Sequence, residues 1–293
     1  MLYNDDLNYA ELYRWGCERL SDAGIDEAKT EARLLLEWCC NTEYSTLLAH
    51  GDRSISVDEY DRYAACIDRR KTHVPLQHIT GEQDFMGLTL SVNNNVLIPR
   101  QDTEVLVEEV MRHLHDGMHI LDMCTGSGCI LLSLLRYSND CTGVGVDLSE
   151  TALQVAAQNT ERILGTQALE EHRVTLRQGN LFEGMDAEEP FDIIVSNPPY
   201  IRTDIIETLM PEVREHEPHS ALDGHEDGLF FYRSIIEQAD RFLTGGGMLF
   251  FEIGYDQGEE VSRLMEEAGY MDIEVIRDFA GLDRVVYGGK YVL

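Results

Sequence analysis

Residues 191–200 read Phe-Asp-Ile-Ile-Val-Ser-Asn-Pro-Pro-Tyr, and this stretch decides the fold. Its first six residues are mostly apolar and β-branched, which predicts a buried strand of a parallel sheet. Pro198 and Pro199 end the strand at once, because neither has a backbone N–H to donate. Asn197 and Tyr200 are therefore expected at the carboxyl end of a strand, where open α/β sheets bind their ligands.

The side chains of this motif suit a planar substrate that carries an NH2 group. Asn197 Oδ1 and the Pro198 carbonyl oxygen can each accept one N–H of that group, and the ring of Tyr200 can lie flat against it. A strand that merely ends in a proline-rich turn is the other interpretation. We predict a catalytic and substrate-binding role for the whole motif, which comprises Asn197, Pro198, Pro199 and Tyr200.

Patterns typical of strands alternate with patterns typical of helices through the second half of the chain. The other predicted strands are residues 119–123, 142–146, 173–178 and 247–253, followed by an antiparallel pair at 273–276 and 284–287. This alternation predicts an α/β fold with a doubly wound, mostly parallel sheet of seven strands.

The first part of the chain has a different spacing of apolar residues. Residues 1–73 carry apolar side chains at helical spacing, which predicts a small helical bundle. Asp26 is expected to cap its second helix, and Ser56 its fourth, with Glu59 completing a capping box. No catalytic pattern occurs in this bundle, so it is predicted to recognise a partner.

Residues 74–98 are predicted to link the bundle to the sheet domain. Apolar and polar residues alternate here on either side of three asparagines, Asn93–Asn95. Alternation around an asparagine-rich turn favours a β-hairpin.

Residues 124–128, Cys-Thr-Gly-Ser-Gly, join a predicted strand to a predicted helix. Glycines let a ligand approach the backbone, and the start of a helix offers free N–H groups. The loop matches neither G-x-G-x-x-G nor Walker A and has no lysine, which favours a ligand with little phosphate. A nucleoside that bears a carboxylate fits, with the carboxylate at the helix N-terminus. An ordinary strand-to-helix turn is the alternative.

Three further residues follow on the next predicted strand ends. Asp147 stands where dinucleotide folds place a ribose-binding acid, about 20 residues after the glycines. Asn180 and Leu181 can hold an adenine by one polar and one apolar contact. Together with the loop and Asn197 they predict a site for S-adenosylmethionine, whose members are Cys124, Thr125, Gly126, Ser127, Gly128, Asp147, Asn180, Leu181 and Asn197.

Charge and cysteine content restrict the function further. The formal net charge is −31, and a field of that sign repels the phosphate backbone of nucleic acids. We therefore expect a protein partner and no direct nucleic-acid binding. The seven cysteines form no Cys-x-x-Cys pair, which favours reduced thiols in a cytoplasmic protein and argues against a metal site. No run of residues has membrane-spanning character and no signal peptide is recognised.

Several other stretches occur in a familiar order around these residues. They are Pro75-Leu76-Gln77, Phe85-Met86-Gly87, Ile98-Pro99-Arg100, Asp102-Thr103-Glu104, Glu217-Pro218, Ala221-Leu222-Asp223-Gly224, Asp227-Gly228-Leu229, Glu252-Ile253-Gly254 and Gln257. With the 124–128 loop and the 197–200 motif, they make the chain from Pro75 onward resemble the HemK/PrmC family of class I methyltransferases. Members of that family methylate the glutamine side-chain nitrogen of peptide chain release factors. Three positions differ from the usual family pattern: Cys124 replaces a glycine, Gln101 replaces a common proline, and Leu181 replaces a tryptophan that is often found near the adenine.

The resemblance implies an S-adenosylmethionine-dependent methyltransferase domain at 99–293, which acts as a monomer in the cytoplasm. Its substrate would be the N5 atom of the glutamine in the Gly-Gly-Gln motif of class I release factors, and its product S-adenosylhomocysteine. Phe85 would face Tyr200 across the slot that admits the glutamine. Two alternatives stay open, methylation of a glutamine in a ribosomal protein and methylation of adenine N6 in a nucleic acid.

Overall fold

The computed structural model describes residues 7–187 and 190–290 of the chain. The chain forms two compact units. One, the helical unit, comprises the chain up to Gly81 together with Met210–His216. The other, the sheet unit, comprises Glu82–Leu209 and the chain from Glu217 onward.

The helical unit consists of α1 (Tyr9–Asp22), α2 (Ala28–Cys40), α3 (Tyr44–Ala49), α4 (Val57–Arg70) and α5 (Leu76–Thr80). Ser56 and Glu59 form the expected capping box at the start of α4. The prediction that Asp26 caps α2 is wrong, because Asp26 lies in a turn and the helix starts after Glu27 without a side-chain cap. Tyr63 is fully buried between the helices and donates a hydrogen bond to the Ala32 carbonyl at 3.0 Å.

A distant segment of the chain completes this unit. Helix α11 (Pro211–His216) belongs to it, although α10 (Thr203–Ile206) before it belongs to the sheet unit. Arg70, which is 5% exposed, pairs with Glu212 of α11 at 3.0 Å and also with Glu31 of α2. A buried guanidinium is stabilised here because two carboxylates share its charge.

The sheet unit has the predicted architecture, with seven strands in the order β5-β4-β3-β6-β7-β9-β8. The strands from β3 to β7 are parallel, and β9 runs antiparallel to both of its neighbours, β7 and β8. Their bounds are β3 (His119–Met123), β4 (Thr142–Asp147), β5 (Val174–Gln178), β6 (Phe191–Ser196), β7 (Leu243–Glu252), β8 (Met271–Arg277) and β9 (Asp283–Gly289).

Helices cover both faces of this sheet, so its central strands are buried throughout. In β3, for example, Leu121 and Met123 belong to one core cluster, whereas Ile120 between them belongs to another. The longer helices are α6 (Gln101–His113), α7 (Cys129–Arg136), α8 (Glu150–Leu164), α12 (Phe230–Ala239) and α13 (Gly258–Glu267), and the short α9 (Gln167–Glu170) follows α8. None of the helices in the described part of the chain combines the length and the apolar character needed to cross a bilayer.

The hairpin lies elsewhere than the sequence predicted. It consists of β1 (Glu82–Phe85) and β2 (Leu88–Ser91), and its turn is Met86-Gly87, with φ values of 51° and 71°. Two adjacent residues with positive φ suit the right-handed twist of a hairpin. The prediction of a hairpin turn at Asn93–Asn95 is wrong, because residues 96–100 form no strand and the chain continues directly into the helix that starts at Gln101. The Asn93 side chain accepts the Asn95 N–H at 2.9 Å instead, which closes a local turn.

Candidate active site

A cavity opens at the carboxyl ends of β3, β4, β5 and β6, and the strand order reverses between β3 and β6. Nine of the residues predicted from the sequence line it: Cys124, Thr125, Gly126, Ser127, Asp147, Asn180, Leu181, Asn197 and Pro199. Gly128, Pro198 and Tyr200 are not among the lining residues, although each lies next to one in sequence. The structure thus brings together residues from four separate strand ends, as the topology of a doubly wound sheet requires.

The loop after β3 is built from residues with unusual backbone angles. Cys124, Gly126 and Gly128 have φ values of 64°, 55° and 80°. Glycine adopts this region without strain, whereas cysteine does so at some cost. Apart from its two chain neighbours, no atom of the described residues lies within 4 Å of the place where a Cβ on Gly126 would stand, so the cavity is open over this residue. Gly128 has a different task, because it is the N-cap residue from which α7 starts.

Asp122 supports this loop from below and was not predicted from the sequence. It is fully buried, and its Oδ2 accepts the Thr125 hydroxyl at 2.6 Å. Burial raises the pKa of this carboxyl to about 7. A charged residue inside an apolar strand is the signal that could have identified it. Burying a carboxyl costs free energy unless hydrogen bonds or charges compensate it, so such a residue is expected to have a specific partner.

Asp147 connects the ends of β3 and β4. Its Oδ2 accepts the Gly126 N–H at 2.9 Å, and its Oδ1 accepts the Ser149 N–H at 2.9 Å. Burial raises its pKa, and the backbone hydrogen bonds oppose that rise. Each carboxylate oxygen has a second lone pair, so the group can still accept hydrogen bonds from a ligand's hydroxyls.

The apolar part of the cavity was only partly predicted. Leu181 lines it with a φ of 54° and belongs at the same time to the core of the sheet unit. Leu148, which is 63% exposed, lines it too and adds apolar surface. Further lining residues that were assigned no contact with a ligand are Pro99, Thr103, Pro218, Ser220, Ala221 and Phe231.

Asn197 is held in a defined orientation directly after β6. Its Nδ2 donates to the Thr103 hydroxyl oxygen at 3.3 Å, which leaves Oδ1 available as an acceptor. Ser196 before it donates its hydroxyl to the Met123 carbonyl at 2.6 Å and so ties β6 to β3. The amide therefore has its position fixed from both the strand and helix α6.

Tyr200 is fixed by residues that follow it in the chain, from Gly224 to Gln257. Gln257 Nε2 donates to the Tyr200 carbonyl and to the Gly228 carbonyl, both at 3.2 Å. A Cβ on Gly224 would stand 2.7 Å from Tyr200 Cα, so only glycine allows this approach. The Tyr200 hydroxyl donates to Glu252 Oε1 at 3.3 Å. Residues from the stretches at 221–224, 227–229, 252–254 and 257 thus meet around Tyr200, although they lie apart in the sequence.

An ion pair between Arg100 and Glu217 holds together the part of the cavity lining that contains Pro99 and Pro218. Arg100 Nη2 donates to both carboxylate oxygens of Glu217, at 2.7 and 2.8 Å, and the Glu217 side chain is 1% exposed. Burial raises the pKa of Glu217, and the charge of Arg100 opposes that rise. The pair joins the approach to α6 with Pro218, and both Pro99 and Pro218 line the cavity.

Phe85 does not belong to the site. It is 1% exposed and packs with Leu90, Leu106 and Val107 in the core, away from the lining of the cavity. The prediction that it faces Tyr200 across a slot is therefore wrong. The reason is the hairpin: Phe85 ends β1, and the Met86 N–H is bound by Glu104 of α6 at 2.6 Å, which turns the hairpin onto the core.

The fold and this site define a class I methyltransferase, and comparison with known proteins agrees. Residues 114–279 match a family model described as a methyltransferase domain, and residues 11–81 match one described as the PrmC N-terminal domain. A methyltransferase of Pyrococcus furiosus has the same fold, with a TM-score of 0.51 at 18% identity over 70% of this chain and 90% of that chain.

Relatives of nearly equal length identify the family. A release factor glutamine methyltransferase from Caulobacter vibrioides is 40% identical over 93% of each chain. One from Geobacter sulfurreducens is 40% identical over 94% of each chain. The chain belongs to the release factor glutamine methyltransferase family.

Proposed function

We propose that this chain transfers a methyl group from S-adenosylmethionine to the side-chain amide nitrogen of the glutamine in the Gly-Gly-Gln motif of class I release factors. The observation that carries the proposal is the orientation of Asn197, whose Nδ2 is engaged by Thr103 so that Oδ1 can accept an amide N–H. The names of the relatives support the choice of substrate.

The walls of the cavity fit the proposed cofactor. S-adenosylmethionine, when bound, supplies an electrophilic methyl group and leaves as S-adenosylhomocysteine. Asp147 would accept the ribose hydroxyls, while Leu148 and Leu181 offer apolar surface to the adenine together with the polar Asn180. The loop Thr125–Gly128 and the start of α7 would bind the carboxylate, since helix N-termini attract anions.

The residues after β6 would prepare the amide nitrogen for reaction. An amide nitrogen is a poor nucleophile because its lone pair is delocalised into the carbonyl. Asn197 Oδ1 and the Pro198 carbonyl would accept its two N–H groups and stabilise the positive charge that grows on the nitrogen. The ring of Tyr200 would stack against the amide plane. Among the described residues no group of metal-ligating side chains converges, and none is used here.

The partner is proposed to be recognised by the helical unit as well as by the cavity. A net charge of −31 favours a protein partner with a basic face over a nucleic acid, and it favours the release factor over an adenine-containing polymer. A cytoplasmic location belongs to the proposal too, and it rests on the pattern of the seven cysteines in the sequence. Methylation of a glutamine in a ribosomal protein is the nearest competing function.

The test is the substitution Asn197→Ala. It should abolish most turnover on a Gly-Gly-Gln peptide and leave the affinity for S-adenosylmethionine within about twofold, because the lost contacts are to the acceptor nitrogen. Turnover is measured by mass spectrometry of the peptide and affinity by calorimetry. Asn139→Ala, which makes the same change at an exposed site, is the matched control.

Two outcomes would contradict the proposal. Near-normal turnover in a folded Asn197→Ala variant would exclude the role given to this amide. Preferential methylation of a ribosomal protein or of an adenine oligonucleotide by the wild-type chain, tested beside intact release factor, would exclude the proposed substrate.

A further inference from the structure

We infer that Thr103 and Glu252 are positioning residues, which hold the Asn197 amide so that its oxygen, and not its NH2 group, meets the acceptor nitrogen. This inference rests on the proposed function. The sequence assigned neither residue a role at the site, and both are almost completely buried, each 1% exposed.

The side chain of asparagine has two orientations that differ only in which end is oxygen and which is nitrogen. The hydrogen-bonding partners decide between them. The partner of Asn197 is the Thr103 hydroxyl, in the first turn of α6, at 3.3 Å from Nδ2. A hydroxyl can donate or accept, so this bond keeps the orientation seen in the structure only while the Thr103 proton is directed to another acceptor.

Glu252 removes this ambiguity. It ends β7, and its Oε1 accepts the Tyr200 hydroxyl at 3.3 Å. Its Oε2 is buried and accepts no hydrogen bond of standard geometry in the described part of the chain. The Thr103 hydroxyl nevertheless lowers the pKa of Glu252 against the effect of burial, so the proposed network directs the Thr103 proton to this oxygen. An ionised carboxylate can only accept, so it takes the Thr103 proton and Thr103 must accept from Asn197.

The ionisation of Glu252 depends on the charges around it. Burial raises its pKa to about 7, the Arg284 guanidinium lowers it and Asp102 raises it. Arg284 is anchored by Asp278 at 3.0 Å and Asp102 at 3.2 Å. Above about pH 7 the carboxylate is ionised and the orientation is fixed. Below that pH a protonated Glu252 can donate to the Thr103 oxygen, and the Thr103 proton can then point to Asn197. The Asn197 amide would then turn its oxygen to Thr103 and its NH2 group to the substrate nitrogen.

Such a reversal would direct the NH2 group of Asn197 at the NH2 group of the substrate glutamine, so two hydrogen-bond donors would face each other. The substrate nitrogen would then lose the oxygen that accepts its N–H. The affinity for S-adenosylmethionine would change little, because its proposed contacts lie with Asp147, Leu148 and Leu181. The network should therefore control the rate of transfer and leave cofactor binding nearly unchanged.

The experiment compares Thr103→Val, Thr103→Ser and Glu252→Gln with the wild-type protein on a Gly-Gly-Gln peptide. Thr103→Val and Glu252→Gln should lower kcat at pH 8 by about tenfold or more, with KM and cofactor affinity changed by less than about threefold. Thr103→Ser, which keeps the hydroxyl, should retain most of the activity. The wild-type rate should fall as the pH drops through about 7, and Glu252→Gln should lose this inflection.

A second measurement does not depend on turnover. The side-chain NH2 resonances of Asn197 in a 15N-labelled protein should shift and exchange faster with water in Thr103→Val, and should stay near their wild-type values in Thr103→Ser. Normal kcat in Thr103→Val, equal losses in Thr103→Val and Thr103→Ser, or unmoved Asn197 resonances would overturn the inference. A wild-type protein without activity on any glutamine acceptor would instead count against the proposed function, and the resonances would still decide the orientation of Asn197.

Discussion

Asp147 shows how one carboxylate can serve both the fold and a ligand. Two backbone N–H groups, from Gly126 and Ser149, already occupy one lone pair on each oxygen. The loop after β3 and the start of α8 are thereby fixed around the cavity before any ligand arrives. The remaining lone pairs are the ones that the proposed function assigns to the ribose hydroxyls.

Asp147→Ala should weaken the binding of S-adenosylmethionine by about 1–3 kcal/mol, because it leaves ribose hydroxyls and backbone groups without acceptors. Calorimetry on the folded variant measures this. Asp192→Ala is the matched control, since Asp192 also accepts a backbone N–H, from His119 at 2.8 Å, yet does not line the cavity. Equal affinities in the Asp147 variant and the wild-type protein would exclude Asp147 from the cofactor site.

Residues of this kind differ in how well the sequence could predict them. Asp147 and Asn197 stand at strand ends, and a strand end can be read from local patterns. Asp122 lies within β3, and Glu252 ends β7 without a turn motif after it that marks it as a ligand. The importance of both depends on Thr125 and Tyr200, which approach them only in the fold. Phe85 was misassigned for the same reason, since its direction depends on contacts of the hairpin with α6.

At the scale of elements, the segment between β6 and α12 is held on the site by close backbone packing. The Gly224 N–H donates to the Ile201 carbonyl at 2.7 Å, and the Ile201 N–H donates to the Leu222 carbonyl at 3.0 Å. This segment carries Pro218, Ser220 and Ala221 to the cavity. Its position and that of Tyr200 are therefore coupled.

Gly224→Ala tests this coupling. The new Cβ would stand 2.7 Å from Tyr200 Cα and 2.9 Å from Gly228 Cα, and backbone atoms cannot move aside as a side chain can. We expect a loss of stability of about 1–3 kcal/mol and a larger fall in kcat than in cofactor affinity. Gly24→Ala, with open space around it, should cost only backbone strain and leave turnover unchanged. Unchanged turnover in Gly224→Ala would mean that this packing does not position Tyr200.

Elements were predicted well where hydrophobic periodicity decides them and poorly where a turn decides them. Strands β3, β4, β6 and β7 were found because buried parallel strands are continuous apolar runs. The hairpin turn at Met86-Gly87 was missed because methionine is rarely found at positive φ, whereas Asn93–Asn95 is a typical turn composition.

For the whole molecule, local patterns predicted the order of elements, and the fold class follows from that order. The contacts that shape the site join residues far apart in the chain, such as Arg100 with Glu217 and Tyr200 with Gln257. No local pattern specifies such pairs. The same holds for the helical unit, to which α11 is contributed by a segment about 140 residues away from its partner Arg70.

The last prediction concerns how the whole protein recognises an intact partner. The helical unit has a groove lined by Tyr13, Arg33, Tyr44 and Leu48, of which Tyr44 is 50% and Leu48 70% exposed. Exposed aromatic and aliphatic side chains beside a groove are typical of contact sites for proteins. Contacts far from the reacting atoms can still favour the reaction, because their binding energy helps to hold the substrate in place.

The double variant Tyr44→Ala/Leu48→Ala should therefore lower kcat/KM for intact release factor by about tenfold or more and leave that for a short Gly-Gly-Gln peptide unchanged. Val57→Ala, at a residue that is 49% exposed in the same unit but does not line the groove, should leave both values unchanged. Equal values of kcat/KM for intact release factor in the folded double variant and the wild-type protein would mean that this groove does not contact the partner.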